Sequence, residues 1–527
     1  HIYRAAENNT LISEDFGYDM NSWQGAMAVA GDTYENFMVM RDLDFSSVKS
    51  DYLRTGLKIN RLEGSENRIN LDLASLTEAD RREYLMGNLH QKPYVAIANL
   101  TFTQESTSGV NWIYELRSEM KYLKFYNINW KNTPSGSYVG IIRLQTGTVS
   151  YIDLDKINID YGKATSYIGF ITNANNTMDY VRGRDIVVMS GTPNRARITV
   201  RYVGGVVSYS QAMLQHIGVK GSIGTDGSYS CSINGSANDA LNNGEYTGGT
   251  VGFAQKPGMD FIYGDGIEVN GNRYVGGVTG YINNYPRWSS QPETWYNALQ
   301  PASGEKIYLL SAKNSKVEGN LYVSGVIANS NYVHYVNSEK NKVHATRYGA
   351  GGVAALGGGS YFTATGCDIV SDGDYAGALA ANTSGYGYDF TYSVVNGCNV
   401  KAKSYAGGAV GLSNINGRRN IVVRDSAIYA DQYAGGLLGY SDAQNYSQNI
   451  YQNVIKNCKI GSSAYKYPKA SEDESGGYKV EWIEESGSGS KMVGGLCGAS
   501  YGAILFNNLV DDSVEILANE YAGGVIG

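Results

Sequence analysis

A short block returns through this chain at intervals of about 28 residues, and no other feature limits the fold so tightly. The block is a tyrosine, a small or β-branched residue, one or two glycines and two apolar residues. It reads YVGII at Tyr138, YIGFI at Tyr167, YVGGVV at Tyr202, YTGGTVG at Tyr246, YVGGVTG at Tyr274 and YVSGVIA at Tyr322. It continues as GAGGVAA after Tyr348, YAGALAA at Tyr375, YAGGAVG at Tyr405, YAGGLLG at Tyr433, MVGGLCG at Met492 and YAGGVIG at Tyr521. Tyr246 to Tyr274 and Tyr405 to Tyr433 each span 28 residues, and Tyr375 to Tyr405 spans 30.

A second element precedes several of these tyrosines. It is VVNGCNV ending at Val400, VVRDSAI ending at Ile428, VIKNCKI ending at Ile460 and NLVDDSVEI ending at Ile516, with a similar TATGCDI ending at Ile369. Apolar residues, a polar bend, a small Cys or Ser and a final Ile or Val make a strand with one face inward. The apolar stretch after the glycines is a second short strand, and neither is long enough for an ordinary helix. Two or three short strands per unit fit one coil of a parallel β-helix, stacked at about 4.8 Å per coil. The predicted fold is therefore all-β, a parallel β-helix solenoid with the usual right-handed sense. The glycine pair is expected at a corner, where it permits positive φ and close backbone approach. The tyrosine before it is expected to stack on its counterpart in the next coil.

Composition agrees. The chain has 66 glycines, 8 prolines and 44 tyrosines against 11 phenylalanines, an aromatic load that a disordered chain lacks. A net charge of −7 argues against capture of nucleic acid, which needs a basic face. No apolar run reaches the roughly 18 to 20 residues of a membrane span. The five cysteines, Cys231, Cys367, Cys398, Cys458 and Cys497, are odd in number and widely spaced, without a CxxC pair, which speaks against a disulfide framework or a structural zinc site. Three of them share one repeat position, so all read as small buried ladder residues. The chain begins in polar sequence at His1 and ends inside a repeat at Gly527. It is expected to be part of a longer polypeptide, with further domains on the C-terminal side.

The glycine unit resembles the GLUG motif of bacterial surface proteins, adhesins and the N-terminal parts of IgA-specific zinc metallopeptidases of Gram-positive bacteria. The matching segments are residues 204–207, 248–252, 276–280, 407–411, 435–439, 494–498 and 523–527, while the units at Tyr138 and Tyr167 keep one glycine only. Residues 37–45, FMVMRDLDF, and 95–102, VAIANLTF, resemble the segment that precedes such repeats, and 123–130, LKFYNINW, suits a first full solenoid strand. Residues 1–120 are read as an N-terminal cap with the first strands, and 121–527 as the repeats. Ser75 followed by Glu78 is a capping-box pattern that starts a short helix within the cap. The resemblance implies a secreted or cell-surface bacterial protein.

Candidate chemistry is sparse. A zinc peptidase needs HExxH, and none of His1, His90, His216, His334 or His344 sits in that context. His334 and His344 are ten apart and read as strand or loop residues. Asp153 with Asp155, and Asp511 with Asp512, are the carboxylate pairs that a β-helical polysaccharide-acting enzyme would need, with calcium as the one cation to consider. No cofactor is otherwise expected. Two insertions break the period. Residues 282–306 hold Tyr285, Trp288, Trp295 and Tyr296, aromatics suited to binding a host protein or glycan. Residues 461–491 carry SEDESGG and EWIEESGSGS, whose composition predicts a flexible, solvated loop. The expected role is an extracellular scaffold or adhesin-like module. The alternatives are a non-catalytic, substrate-positioning region of an immunoglobulin-cleaving metallopeptidase and a β-helical polysaccharide-acting enzyme.

Overall fold

The computed structural model describes residues 120–132, 136–191, 200–236, 245–255, 258–283, 308–383, 390–413, 417–442 and 448–527, with shorter strand segments nearer the N-terminus. Among these residues there is no helix, and strands stack in parallel coil upon coil, so the chain is a parallel β-helix solenoid. The chain divides into two compact units, residues 1–240 with 244–267, and residues 241–243 with 268–527.

One coil of the second unit shows how the repeat becomes structure. Tyr405–Gly407 is followed by Val410–Ser413, Arg418–Arg424 and Ala427–Ala430 before the next coil opens at Tyr433–Gly435. Val410, Ile421, Val423 and Ile428 point inward and are buried, as period-two alternation requires. Each strand pairs in register with its equivalent in the next coil: Tyr405 with Tyr433, Val410 with Leu438, and Val422 with Val454. Ile369, Val400, Ile428, Ile460 and Ile516 form one continuous ladder. Beside it Cys367, Cys398, Ser426 and Cys458 pass backbone hydrogen bonds from coil to coil, Asn399 N to Cys367 O at 2.9 Å and Ala427 N to Cys398 O at 2.9 Å among them. All five cysteines are buried and free.

In the first unit Tyr138, Tyr167, Tyr202 and Tyr246 pair in register, so the one-glycine blocks occupy the same rung as the two-glycine ones. Their coils are one residue shorter at the corner, since Ile142 pairs with Ile171, and Ile171 with Val207. The tyrosines stack as expected: Tyr138 on Tyr167 with centroids 4.7 Å apart, and in the second unit Tyr405 on Tyr433 at 5.3 Å. Parallel pairing reaches back through Val95–Gln104, which pairs Val95 with Leu123, to Glu35–Val39. The helix expected after Ser75 lies outside the described residues.

The corners differ from expectation in one respect. The glycines of the repeated pair do not have positive φ. Their role is close approach alone: a Cβ on Gly408 would lie 2.1 Å from the carbonyl oxygen of Gly436 in the next coil. The left-handed positions are elsewhere, and many carry side chains. Tyr151, Tyr180, His216 and Phe261 hold φ values of 55, 52, 48 and 58° on successive coils of the first unit. Tyr335, Tyr361 and Tyr392 do the same in the second at 55, 61 and 51°. Such residues cost about 1–2 kcal/mol each, and stacking offsets it at about 0.5–1.5 kcal/mol per aromatic pair. Tyr151 stacks on Tyr180, Tyr180 on His216 and His216 on Phe261, at 5.0, 4.3 and 4.8 Å.

Candidate functional site

Just past that aromatic corner in the first unit, the strands Val149–Asp160, Met178–Arg184, Leu214–Lys220 and Ile262–Asp265 run side by side. Alternation sends Ile152, Leu154, Val181, Ile217 and Val219 into the core. It therefore sends Asp153, Arg182, Gly218 and Tyr263 outward as one column, and Asp155, Arg184, Lys220 and Asp265 as a second. Asp153, Arg182 and Tyr263 of the first column and Asp155, Arg184 and Lys220 of the second, with Lys124, line a groove of about 610 Å³. That volume is typical of small-ligand sites.

Gly218 shapes the floor. It is the one outward position in its column without a side chain, and the Tyr263 ring lies over it. A Cβ on Gly218 would sit 2.1 Å from Cε1 of that ring, so the flat pose exists only because residue 218 is glycine. The Tyr263 backbone is pinned from within, where the buried Thr250 hydroxyl donates to its carbonyl at 2.7 Å. The tyrosines of the corner ladders stand face to face and occupy one another's faces. Tyr263 instead presents one ring face to the groove it lines. Burial raises its phenol above the ordinary range. The Arg182 charge opposes that shift, and Asp265 and Asp153 add to it.

The groove is lined by four cations (Lys124, Arg182, Arg184, Lys220) and three carboxylates (Asp153, Asp155, Asp185), with Asp265 adjoining on the strand beside Lys220. Arg182 holds Asp153 at 3.1 Å and Lys220 faces Asp265 at 3.6 Å. Asp185 accepts the hydroxyl of Ser230. Asp155 and Arg184, paired in register on neighbouring strands, make no side-chain hydrogen bond or ion pair among the described residues. The groove thus offers one planar donor fork, one free carboxylate and an aromatic face on a rigid sheet.

The residues singled out from sequence fare unevenly. Tyr285, Trp288, Trp295 and Tyr296 lie outside the described residues. Asp153 and Asp155 fall in the groove, on the same face of one strand, with Asp153 bound to Arg182. Asp511 and Asp512 sit in a turn, where the Ser513 hydroxyl and amide hydrogen-bond Asp511 and hold its carboxyl below the usual range. His334 is buried, which pushes it down to about 4, while His344 meets Asp372 at 2.8 Å on the surface. Among the described residues no three His, Cys, Asp or Glu side chains cluster as a metal site. Burial pushes the thiols of Cys231, Cys458 and Cys497 up to about 12, far from thiolate chemistry.

The second insertion corrects the sequence reading. It is an ordered antiparallel hairpin, Lys466–Glu472 with Tyr478–Glu484, closed by Asp473, which accepts from the amides of Ser475 and Gly477. Asn399 clasps Ala470 by two hydrogen bonds of 2.7 and 3.0 Å, Lys340 pairs with Glu472 at 2.8 Å, and Tyr467 packs edge-on against Tyr429. The acidic and Gly/Ser composition hid two alternating runs, and the anchors come from distant coils.

Fold and groove together define a β-solenoid with a polar, aromatic-floored surface cleft. In comparisons with family models, curated proteins and solved structures, nothing matches this chain.

Proposed function

We propose that this chain is an extracellular β-solenoid of a bacterial surface or secreted protein that presents a binding surface for host protein or glycan. The observation behind this reading is the groove, where Asp155 and Arg184 stand unpaired beside an open aromatic face. Unpaired polar groups on a preformed concave surface are what a ligand completes. The repeat's resemblance to the GLUG units of surface proteins supports the extracellular setting.

The test is a screen of the 527-residue chain against immobilised host extracellular proteins and glycans. It would run beside Arg184→Glu/Lys220→Glu and beside a deletion of residues 284–306. Binding lost with the charge reversal and kept with the deletion supports the groove. The opposite pattern would assign binding to the aromatic insertion, and a screen with no ligand at all would refute the proposal.

A further inference from the structure

Resting on that reading, we infer that the groove is a saccharide subsite. A neutral pyranose ring lies on Tyr263, and Arg184 and Asp155, two and three strands away in the register, bind hydroxyls of the next sugars of the same chain. Three observations meet here. The first is the pose of Tyr263. An aromatic ring lying flat on a sheet, with one face on glycine and the other lining an open cleft, matches the apolar C–H face of a pyranose. A flat aromatic ring gives the C–H groups of a sugar ring an apolar surface of matching size. The ring is also held in place, since Gly218 beneath it and the Thr250 bond to its backbone fix its height.

The second observation is the pair of free groups. Asp155 and Arg184 sit on adjacent parallel strands in register, about 4.8 Å apart along the coil axis by ordinary strand spacing. A carboxylate accepts two hydroxyl protons, and a guanidinium donates two parallel N–H bonds. Side by side they satisfy both the donor and the acceptor character of neighbouring sugar hydroxyls, which neither could do alone. The third is charge. Of the four cations lining the cleft, Arg182 is held by Asp153 and Lys220 faces Asp265 beside it, so the two signs are interspersed, and a hydroxyl-rich neutral ring fits them better than a uronate or sulfate that must also meet Asp155 and Asp185. The two columns run across four neighbouring strands, so a linear oligosaccharide can lie along the stacking direction from Tyr263 to Asp155.

The experiment is saturation-transfer NMR and microarray binding with defined neutral hexasaccharides (glucan, mannan, galactan and N-acetylated series), beside uronate-containing ones. Four variants are compared. Tyr263→Ala removes the platform. Gly218→Val keeps the tyrosine and drives its ring out of the flat pose. Tyr263→Phe keeps the platform and drops the hydroxyl. Arg184→Ala removes the donor fork. We expect Tyr263→Ala, Gly218→Val and Arg184→Ala each to weaken binding by about tenfold or more, as central aromatic and arginine contacts do, with Tyr263→Phe within about threefold of the parent. Unchanged thermal melting, and retained binding by Tyr263→Phe, separate loss of the site from loss of the fold. Full binding by Gly218→Val overturns the inference, as does a preference for the uronate series or no binding by any saccharide. If instead a host protein binds, is lost with Arg184→Glu/Lys220→Glu and is untouched by Tyr263→Ala, the groove stands and the saccharide assignment falls. If no groove substitution affects any ligand, both fall.

Discussion

Phe390→Ala measures how far one rung of the second unit depends on the next. The Phe390 side chain is fully buried, its ring meets Phe362 edge-on with centroids 5.4 Å apart, and the buried Arg418 guanidinium lies 5.1 Å from its centroid. Arg418 also donates to the hydroxyls of Thr383 and Ser413 at 2.9 and 2.8 Å, so the ring is one wall of a buried polar pocket. Truncating such a ring costs about 3–5 kcal/mol. The edge-on pair supplies roughly 0.5–1.5 kcal/mol of this, and the arginine contact places the sum in the upper half. In a solenoid each repeat touches only its neighbours, so the loss should stay local. At about 1.4 kcal/mol per tenfold, amide protection should fall by about three orders of magnitude in the paired strands Ala354–Thr365 and Arg418–Arg424. Protection in Glu515–Leu517 of the same unit should hold. Native-state hydrogen exchange read by mass spectrometry reports both. Phe390→Leu keeps most of the volume and should cost about 1.5 kcal/mol or less. Protection within tenfold of the parent in the neighbouring strands would refute the packing argument, and an equal loss throughout the unit would refute its locality.

Other substitutions test other links. Gly408→Val places a branched side chain 2.1 Å from the Gly436 carbonyl and should prevent soluble folding. Gly408→Ala should cost about 1–3 kcal/mol, because Ala378 fills the aligned position one coil earlier, and urea midpoints of the two variants give the order. His334 titrates at about 4 in the folded chain because burial disfavours its charged form, below its ordinary 6.5. Its neutral form is the folded one, so its contribution is complete above pH 6.5 and is lost as pH falls toward 4. By linkage that is about 3 kcal/mol, and His334→Gln should flatten the fall of the urea midpoint over that window. Asn399→Ala removes both hydrogen bonds to Ala470 and should loosen the hairpin while leaving the coils intact. Limited proteolysis should then cut near residues 473–477 sooner than in the parent, and an unchanged cleavage rate would mean that Lys340 and Tyr429 hold the hairpin alone.

The coil was legible in the sequence because its cause is periodic. Inward positions must be apolar, the corner at Gly408 must lack a side chain, and the tyrosines must stack, so each requirement repeats every 28 residues or so. The left-handed corners are not legible in the sequence because no single residue type marks them. Tyr151, His216, Asn420 and Gln452 all hold positive φ, and Tyr151 and His216 stack on a ring one coil away. The hairpin is hidden in the sequence because its acidic, Gly/Ser-rich composition masks the alternation of its two strands. The groove was half visible. Asp153 and Asp155 drew attention as a carboxylate pair, yet the residues that give them a setting lie 29 to 110 positions along the chain. Only the register Asp153, Arg182, Gly218, Tyr263 brings them together. A glycine at an outward strand position, aligned with an aromatic one coil on, is the sequence signal that would have found it.

That same register explains why a site can arise here without disturbing the fold. Between the aromatic corner of a coil and the next left-handed position, Lys156, Asp185 and Gly266 in the first unit, the inward residues answer to the core and the outward ones to nothing in it. In the first unit the outward columns read Asp153, Arg182, Gly218, Tyr263 and Asp155, Arg184, Lys220, Asp265. In the second, the positions following the stacked tyrosines read Asn337, Thr363, Val394, Val422 and Glu339, Thr365, Asn396, Arg424, in register by the same pairing. The cores beneath are mostly Ile, Val, Leu and Phe with a few small residues such as Ser338, Ala364 and Ser393, while the outer columns share almost no chemistry. There the tyrosine of the hairpin, Tyr478, covers the neighbouring corner at Gly366 and Gly397, whereas Tyr263 of the first unit leaves its face to the cleft. A fold that repeats its interior and frees its exterior places function in whichever outward columns depart from the β-branched and threonine pattern of a plain sheet surface. By that criterion the Asp155–Arg184–Tyr263 face differs from the Asn337–Thr363–Val394–Val422 column of the second unit.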